Sequence, residues 1–95
     1  MDILTKLEIY INEGKNSMDY EMKKEWKKKL LELFGADSFK RIWFDGMSDL
    51  DIIVDHKDKT LIKNIKTELR KDKRVLKIFE KDEDDGHHII VTFPY

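Results

Sequence analysis

Apolar residues recur at steps of three and four along the first third of the chain, the spacing of one face of an α-helix. Two helices are predicted there. The first spans Asp2 to about Asn12, with an apolar face of Ile3, Leu4, Leu7, Tyr10 and Ile11. The second follows Ser17, an N-cap residue, and stops at Gly35. Its apolar stripe is Met18, Met22, Trp26, Leu30, Leu33 and Phe34, and its opposite face carries Lys23, Lys24, Lys27 and Lys28.

After Gly35 the apolar period changes to two, which is the period of a β-strand. Four strands are predicted, at Phe39–Phe44, Asp49–Asp55, Val75–Lys81 and His87–Phe93. The first two are joined by the turn segment "DGMS" and should form a hairpin. The last two flank a second turn, "DEDDG". Between the hairpins a third helix should begin at Asp58 or Thr60, with an inner face of Leu61, Ile62, Ile65 and Leu69.

These elements predict an α+β fold in a single domain, residues 1–95. Two N-terminal helices precede a β-β-α-β-β unit. The unit should form a four-stranded, mostly antiparallel sheet with helices packed on at least one face. The chain has 95 residues, of which 40% are hydrophobic, so one core without disulfides or metals is sufficient at this size.

Alternate residues of a strand share one face of the sheet. One face is predicted to carry Ile42, Phe44, Leu50, Ile52, Val54, Ile89, Val91 and Phe93. The other should carry Phe39, Arg41, Trp43, Asp49, Asp51 and Ile53. We expect one buried cluster that includes Trp26, Leu30, Leu33, Ile52, Val54, Leu69 and Val91.

Charge and composition narrow the classes of function. Nineteen Lys and Arg stand against 20 Asp and Glu, a net charge of −1, so nucleic acid is a possible partner but is not favoured. The absence of Cys excludes disulfides, Cys-ligated zinc and Cys nucleophiles. The N-terminal segment "MDILTKLEIYINEGK" lacks the pattern of a signal peptide, and no apolar run has membrane-spanning length. A cytoplasmic protein without a membrane partner is therefore expected.

The segment "SDLDIIV" has two acids, Asp49 and Asp51, spaced to share one face of a strand. Two such carboxylates can hold Mg²⁺ against nucleotide phosphates. The segment resembles the acidic strand of the nucleotidyltransferase superfamily, the polymerase-beta-like palm. The resemblance implies that Asp49 and Asp51 are catalytic metal ligands, that Mg²⁺ is the cofactor, and that Glu80, or else Asp82, is the third carboxylate. The Gly-Ser or Gly-Gly phosphate turn of that family has no counterpart at Gly46-Met47.

The same hairpin also fits a structural role for its acids, which can pair across strands with Arg41 or Lys77. If helices cover only one face of the sheet, the other face presents an apolar patch rimmed by charge: Phe39, Trp43, Ile53 and Phe79. Such patches often mark contacts with other proteins. We therefore favour a small intracellular binding module, such as an inhibitor or adaptor, over an enzyme. It would have a protein partner, no metal or cofactor, and contact residues Arg41, Trp43, Asp51 and Ile53. The alternative is a minimal, intact or degenerate, metal-dependent nucleotidyltransferase-like domain.

Other candidate sites are weaker. His87 and His88 are neighbours on a strand, so their side chains should point to opposite faces and cannot chelate one ion. His56 stands alone. The segment "KDEDDG" resembles a calcium loop, but Lys81 occupies a ligand position. The basic segments "KKEWKKK" and "KTELRKDKR" fit solvated helix surfaces better than a phosphate-binding surface.

Overall fold

The structure is a computed structural model, and it describes residues 18–45 and 48–94. The predicted helix at residues 2–12 lies outside the described residues. The elements, in chain order, are α1 (Met18–Phe34), a short 3₁₀ turn (Ala36–Ser38), β1 (Arg41–Trp43), β2 (Leu50–Val54), α2 (Lys59–Arg70), β3 (Lys77–Glu83) and β4 (Gly86–Thr92). The α+β class is confirmed. In the described part of the chain, no helix is long and apolar enough to cross a membrane.

The four strands form one sheet in the order β1-β2-β4-β3, and every neighbouring pair is antiparallel. Because β2 and β3 are each antiparallel to β4, they run parallel to each other. The connection through α2 therefore joins two strands that are not neighbours, and β4 lies between them. The sequence predicted a mostly antiparallel sheet but did not predict the central place of β4.

All four strands differ from their predicted bounds by one or two residues at each end. β1 is shorter than predicted, and Asp49 lies just before β2. β3 continues to Glu83, where it was predicted to end at Lys81. β3 extends beyond Lys81 because Asp82 pairs with His87 and Glu83 pairs with Gly86 across the hairpin. Only Asp84 and Asp85 remain as the turn, so most of "DEDDG" belongs to the strands.

Both helices pack on one face of the sheet. The buried cluster joins α1 and α2 to alternate residues of β2 and β4, and comprises Met22, Trp26, Leu30, Leu50, Ile52, Val54, Ile62, Ile65, Leu69, Ile89, Val91 and Phe93. Six of the seven predicted core residues belong to it. Leu33 does not: its side chain is 49% exposed. At the end of α1, Phe34 packs against the core cluster instead. The centre of its ring lies 6.3 Å from that of Phe39.

Lys23 was predicted on the solvent-facing side of α1, and that prediction is wrong. Its side chain is only 2% exposed. The Nζ atom donates to the carbonyl oxygen of Ser48 and, at 3.5 Å, to that of Asp45. A lysine can bury its long apolar stem when its amine finds acceptors. Here those acceptors are carbonyls of the β1–β2 connection, so Lys23 ties α1 to the hairpin.

A second hydrogen-bonded contact joins α1 to the segment that follows α2. The indole Nε1 of buried Trp26 donates to Asp72 Oδ2 at 2.8 Å. Arg74 binds the same carboxylate at 2.7 Å through Nη2. The hydrogen bonds from Arg74 lower the pKa of Asp72 far below its usual value, and the Trp26 bond adds to this effect. Asp72 is therefore a charged acceptor that fixes the orientation of the largest core side chain.

Candidate functional site on the open sheet face

The side of the sheet that faces away from α1 and α2 is here called the open face. The strand register places its side chains in two rows that cross all four strands. The first row is Arg41, Ile53, His88 and Lys81. The second row is Trp43, Asp51, Ile90 and Phe79. The predicted contact residues Arg41, Trp43, Asp51 and Ile53 are thus neighbours on this face.

Phe39 was predicted to belong to the same face, and the structure places it elsewhere. Its side chain is partly buried and packs against the core cluster and Phe34. The reason is that β1 begins only at Arg41, so the strand alternation does not extend back to Phe39. The apolar surface of the open face therefore comes from Trp43, Phe79 and Ile90, above a buried Ile53.

Two exposed aromatic rings mark the two margins of the open face. Trp43 on edge strand β1 is 40% exposed, and the Arg41 guanidinium lies 5.7 Å from the centre of its ring. Phe79 on edge strand β3 is 50% exposed, with Lys77 Nζ at 6.0 Å from its ring centre. The prediction that Trp43 is exposed beside Asp51 and Arg41 is confirmed. Each margin thus presents a cation packed on an aromatic ring.

A shallow cavity of about 290 Å³ lies at the Trp43 margin. Its lining consists of the four predicted contact residues together with Asp85 and His88. Sequence reasoning missed the last two. Strand alternation could have placed His88 on this face, since it lies two residues from Ile90. Asp85 could not have been found that way, because its position depends on the turn between β3 and β4.

His88 is held between two carboxylates and is only 7% exposed. Its Nδ1 lies 3.0 Å from Asp51 Oδ1, and its Nε2 lies 2.7 Å from Asp85 Oδ1. A neutral imidazole has a single N–H, so both contacts are hydrogen bonds only when the ring is protonated. Burial disfavours that charge, but the bonds to Asp85 and Asp51 outweigh it and raise the pKa of His88. The hydrogen bond between His88 and Asp85 also lowers the pKa of Asp85.

His87 makes the corresponding contacts on the helix-covered face. Its Nδ1 lies 2.6 Å from Asp82 Oδ1, and its Nε2 lies 2.9 Å from Glu80 Oε1. Lys66 of α2 donates to the other Glu80 oxygen at 3.2 Å. Partial burial would raise the pKa of Glu80, but the bonds from His87 and Lys66 outweigh it and lower that pKa. The expectation that the two histidines point to opposite faces is confirmed.

The structure does not bring together the three acids implied by the resemblance to nucleotidyltransferases. Asp51 lies on the open face, paired with Ile90, whereas Glu80 pairs with Ile89 on the helix-covered face. Asp49 is exposed just before β2. Among the residues that the structure describes, no three His, Asp or Glu side chains are grouped so that they could hold a metal ion.

In the described part of the β1–β2 connection, the side chain of Asp45 binds Ser48. Asp45 Oδ1 accepts from the backbone N–H of Ser48 at 2.8 Å and from its hydroxyl at 2.9 Å. The Ser48 carbonyl accepts from Lys23. The Ser48 hydroxyl and N–H are therefore already engaged within the turn and are not directed at an approaching phosphate group.

Comparisons with models of protein families, with curated proteins and with solved structures found no match for this chain.

We expect that millimolar Mg²⁺ or Mn²⁺ with nucleoside triphosphates will shift few amide resonances, because Asp51 is bound to His88 and Glu80 lies on the other face. Heteronuclear NMR titration measures this directly. Asp51→Asn should change stability slightly and abolish no activity. Selective Mn²⁺ broadening at Asp49, Asp51 and Glu80, with nucleotide-induced shifts at Gly46 and Met47, would contradict this expectation and favour the nucleotidyltransferase interpretation.

The pH dependence of stability should carry a contribution from His88. Its folded-state pKa is raised, so its stabilising effect is complete below the unfolded value of about 6.5 and is lost as pH rises through the folded value. The pKa of Asp85 is lowered, so its effect is present above about 3.9 and is lost as pH falls through the folded value. Urea unfolding of the natural protein and of His88→Gln, from pH 5 to 9, measures the first effect. The difference in unfolding free energy should shrink with rising pH, and a constant difference would contradict the protonated bridge.

Proposed function

We propose that the protein is a small binding module whose open sheet face binds an acidic and partly apolar segment of another protein. The observation that carries the proposal is Trp43, 40% exposed on a regular sheet and packed against Arg41 beside a cavity. Trp and Arg are the side chains most enriched where binding energy is concentrated. Both residues stand on one hydrogen-bonded strand of the sheet, so their backbone would lose little conformational entropy on binding.

The charges that remain available on the open face decide the chemistry of the partner. Asp51 and Asp85 are already bound to His88. Arg41 and Lys77, in contrast, form no ion pair with any residue in the described ranges, and each lies against an aromatic ring. The face therefore offers two cations and two aromatic surfaces. A partner that brings carboxylates and apolar side chains would complement both.

Single-stranded nucleic acid also combines anions with flat apolar surfaces, but the surroundings of the open face favour a protein. Asp49, Glu83 and Asp84 are exposed around it, and the whole chain has a net charge of −1. A phosphate backbone gains its affinity from a clear excess of positive charge. A cavity of about 290 Å³ suits one inserted side chain. In this proposal the module acts in the cytoplasm as an inhibitor or an adaptor.

Selection of a displayed peptide library on the folded protein tests the proposal. The enriched peptides should combine Asp or Glu with apolar residues. Trp43→Ala should weaken their binding about tenfold or more, which corresponds to the loss of an energetically dominant contact residue. Arg41→Gln should reduce the preference for acidic peptides. Changes in amide resonances on binding should map to β1, β2, β3 and the Asp84–Asp85 turn.

Leu33→Ala is a matched control, because Leu33 is also about half exposed but lies on α1. It should leave peptide binding unchanged. Binding that survives Trp43→Ala, or that Leu33→Ala weakens equally, would overturn the proposal. Tighter binding of single-stranded oligonucleotides, lost in Trp43→Ala, would replace the protein partner by nucleic acid.

A further inference from the structure

The outer edge of β3 is the feature of the fold that the proposed binding face does not use. Within the described residues, β4 is the only strand that pairs with β3. It is seven residues long, and its pairing is continuous from Lys77 with Thr92 to Glu83 with Gly86, without a bulge. The other edge strand, β1, has three residues. A long, regular edge strand is a template on which another strand can pair.

The order of charges along this edge identifies the strand that fits it. Lys77 stands at the N-terminal end of β3 and Glu83 at the C-terminal end, and both side chains are exposed. The cations Arg70 and Lys73 precede the strand, and the acids Asp84 and Asp85 follow it. A strand that is positive at its start and negative at its end is complementary to a copy of itself that runs antiparallel.

We propose that the protein forms a symmetric homodimer in which β3 pairs antiparallel with β3 of a second copy. With the twofold axis at Glu80, Lys77 lies opposite the partner's Glu83, and Phe79 lies opposite the partner's Lys81. Glu83 already binds Lys81 of its own chain at 3.2 Å. The partner's Lys77 would therefore join an existing ion pair, and the symmetry repeats this contact. Exposed Phe79 gains a cation against its ring, as it already has with Lys77.

The residue on the axis is consistent with this register. Glu80 would lie opposite the partner's Glu80, and two bare carboxylates there would repel each other. Each Glu80 carboxylate, however, is bound by Lys66 and by His87 of its own chain. An axis perpendicular to the sheet keeps each face on its own side. The two open faces would then form one continuous surface of eight strands.

Charge reversal at the two ends of β3 tests the dimer. Light scattering coupled to gel filtration, over a concentration series, should show a dimer for the natural chain. Lys77→Glu and Glu83→Lys each replace both Lys–Glu pairs by like charges, so each should raise the dimer dissociation constant about tenfold or more. A mixture of the two variants restores opposite charges at both pairs. It should form a one-to-one heterodimer, and the double variant should form a homodimer again.

Lys28→Glu, the same change of charge on exposed α1, is the control and should leave the dimer intact. Circular dichroism checks that every variant is folded. A monomeric natural chain at millimolar concentration would overturn the proposal, as would a dimer insensitive to both reversals or a mixture that does not associate. Lys77 belongs to both the dimer and the proposed binding face, so the two proposals are separated by other variants. Trp43→Ala should weaken peptide binding and leave the dimer intact, whereas Glu83→Lys should weaken the dimer and leave Trp43 and Arg41 in place.

Discussion

Replacing Ile52 by alanine should lower the free energy of unfolding by about 2–5 kcal/mol. Ile52 is fully buried on β2, between Ile42 on β1 and Ile89 on β4. Removing its side chain would leave a cavity that a hydrogen-bonded sheet can close only in part, so the transfer cost and the cavity cost add. The loss would be a large fraction of the stability of a domain of this size. Urea unfolding monitored by circular dichroism measures it.

Two leucines of α1 provide a matched comparison for this prediction. Leu30 is 0% exposed and Leu33 is 49% exposed, and they lie within one turn of the same helix. Leu30→Ala should also cost about 2–5 kcal/mol, whereas Leu33→Ala should stay within about 0.5 kcal/mol. Similar losses at the two positions would mean that the apolar stripe of α1 is placed wrongly on the sheet.

Gly86→Ala should be among the most destabilising single substitutions in the chain. Gly86 has a φ of +145°, which side chains rarely adopt. An added Cβ would lie 2.5 Å from the backbone oxygen of Val54 and 3.1 Å from Ile53 Cγ2. A backbone oxygen within a sheet cannot move aside cheaply. We expect about 1–3 kcal/mol from the clash and a similar cost from the strained backbone. A shift of the thermal midpoint measures the sum.

Gly35→Ala separates these two costs. Gly35 also has a positive φ, +84°, but nothing lies within 4 Å of an added Cβ. With a ψ of 149°, Gly35 lies in a region that is nearly restricted to glycine, so only a conformational cost of about 1–3 kcal/mol should remain. If Gly86→Ala proved no worse than Gly35→Ala, the close approach of β4 to β2 at Val54 would be contradicted.

The sequence predicted the two described helices, the four strands and the two faces of the sheet because these follow from periodicity. Steps of three and four identified α1 and α2, and alternation placed Ile52 inside and Trp43 outside. The same alternation could also have predicted which face of the sheet Glu80 lies on. It stands two residues from Ile78, which packs against the core, so it had to face the helices and not Asp51.

The remaining features depend on contacts between residues distant in sequence. The burial of Lys23 requires the carbonyl of Ser48 to lie beside α1, which no local pattern reveals. The bridge from Asp51 through His88 to Asp85 requires β4 to pair with β2 and the turn to fold over the open face. Local signals specify elements well, whereas the order of strands is decided by global packing.

The position of β4 has a consequence for the order of folding during synthesis. β2 and β3 leave the ribosome first, but neither can pair with the other, because the strand that joins them in the sheet is made after both. The core cluster around α2 likewise lacks Ile89, Val91 and Phe93 until these residues have emerged. Until β4 has emerged, β2 and β3 therefore cannot belong to one sheet. The arrival of β4 then closes the sheet and the core in one cooperative step.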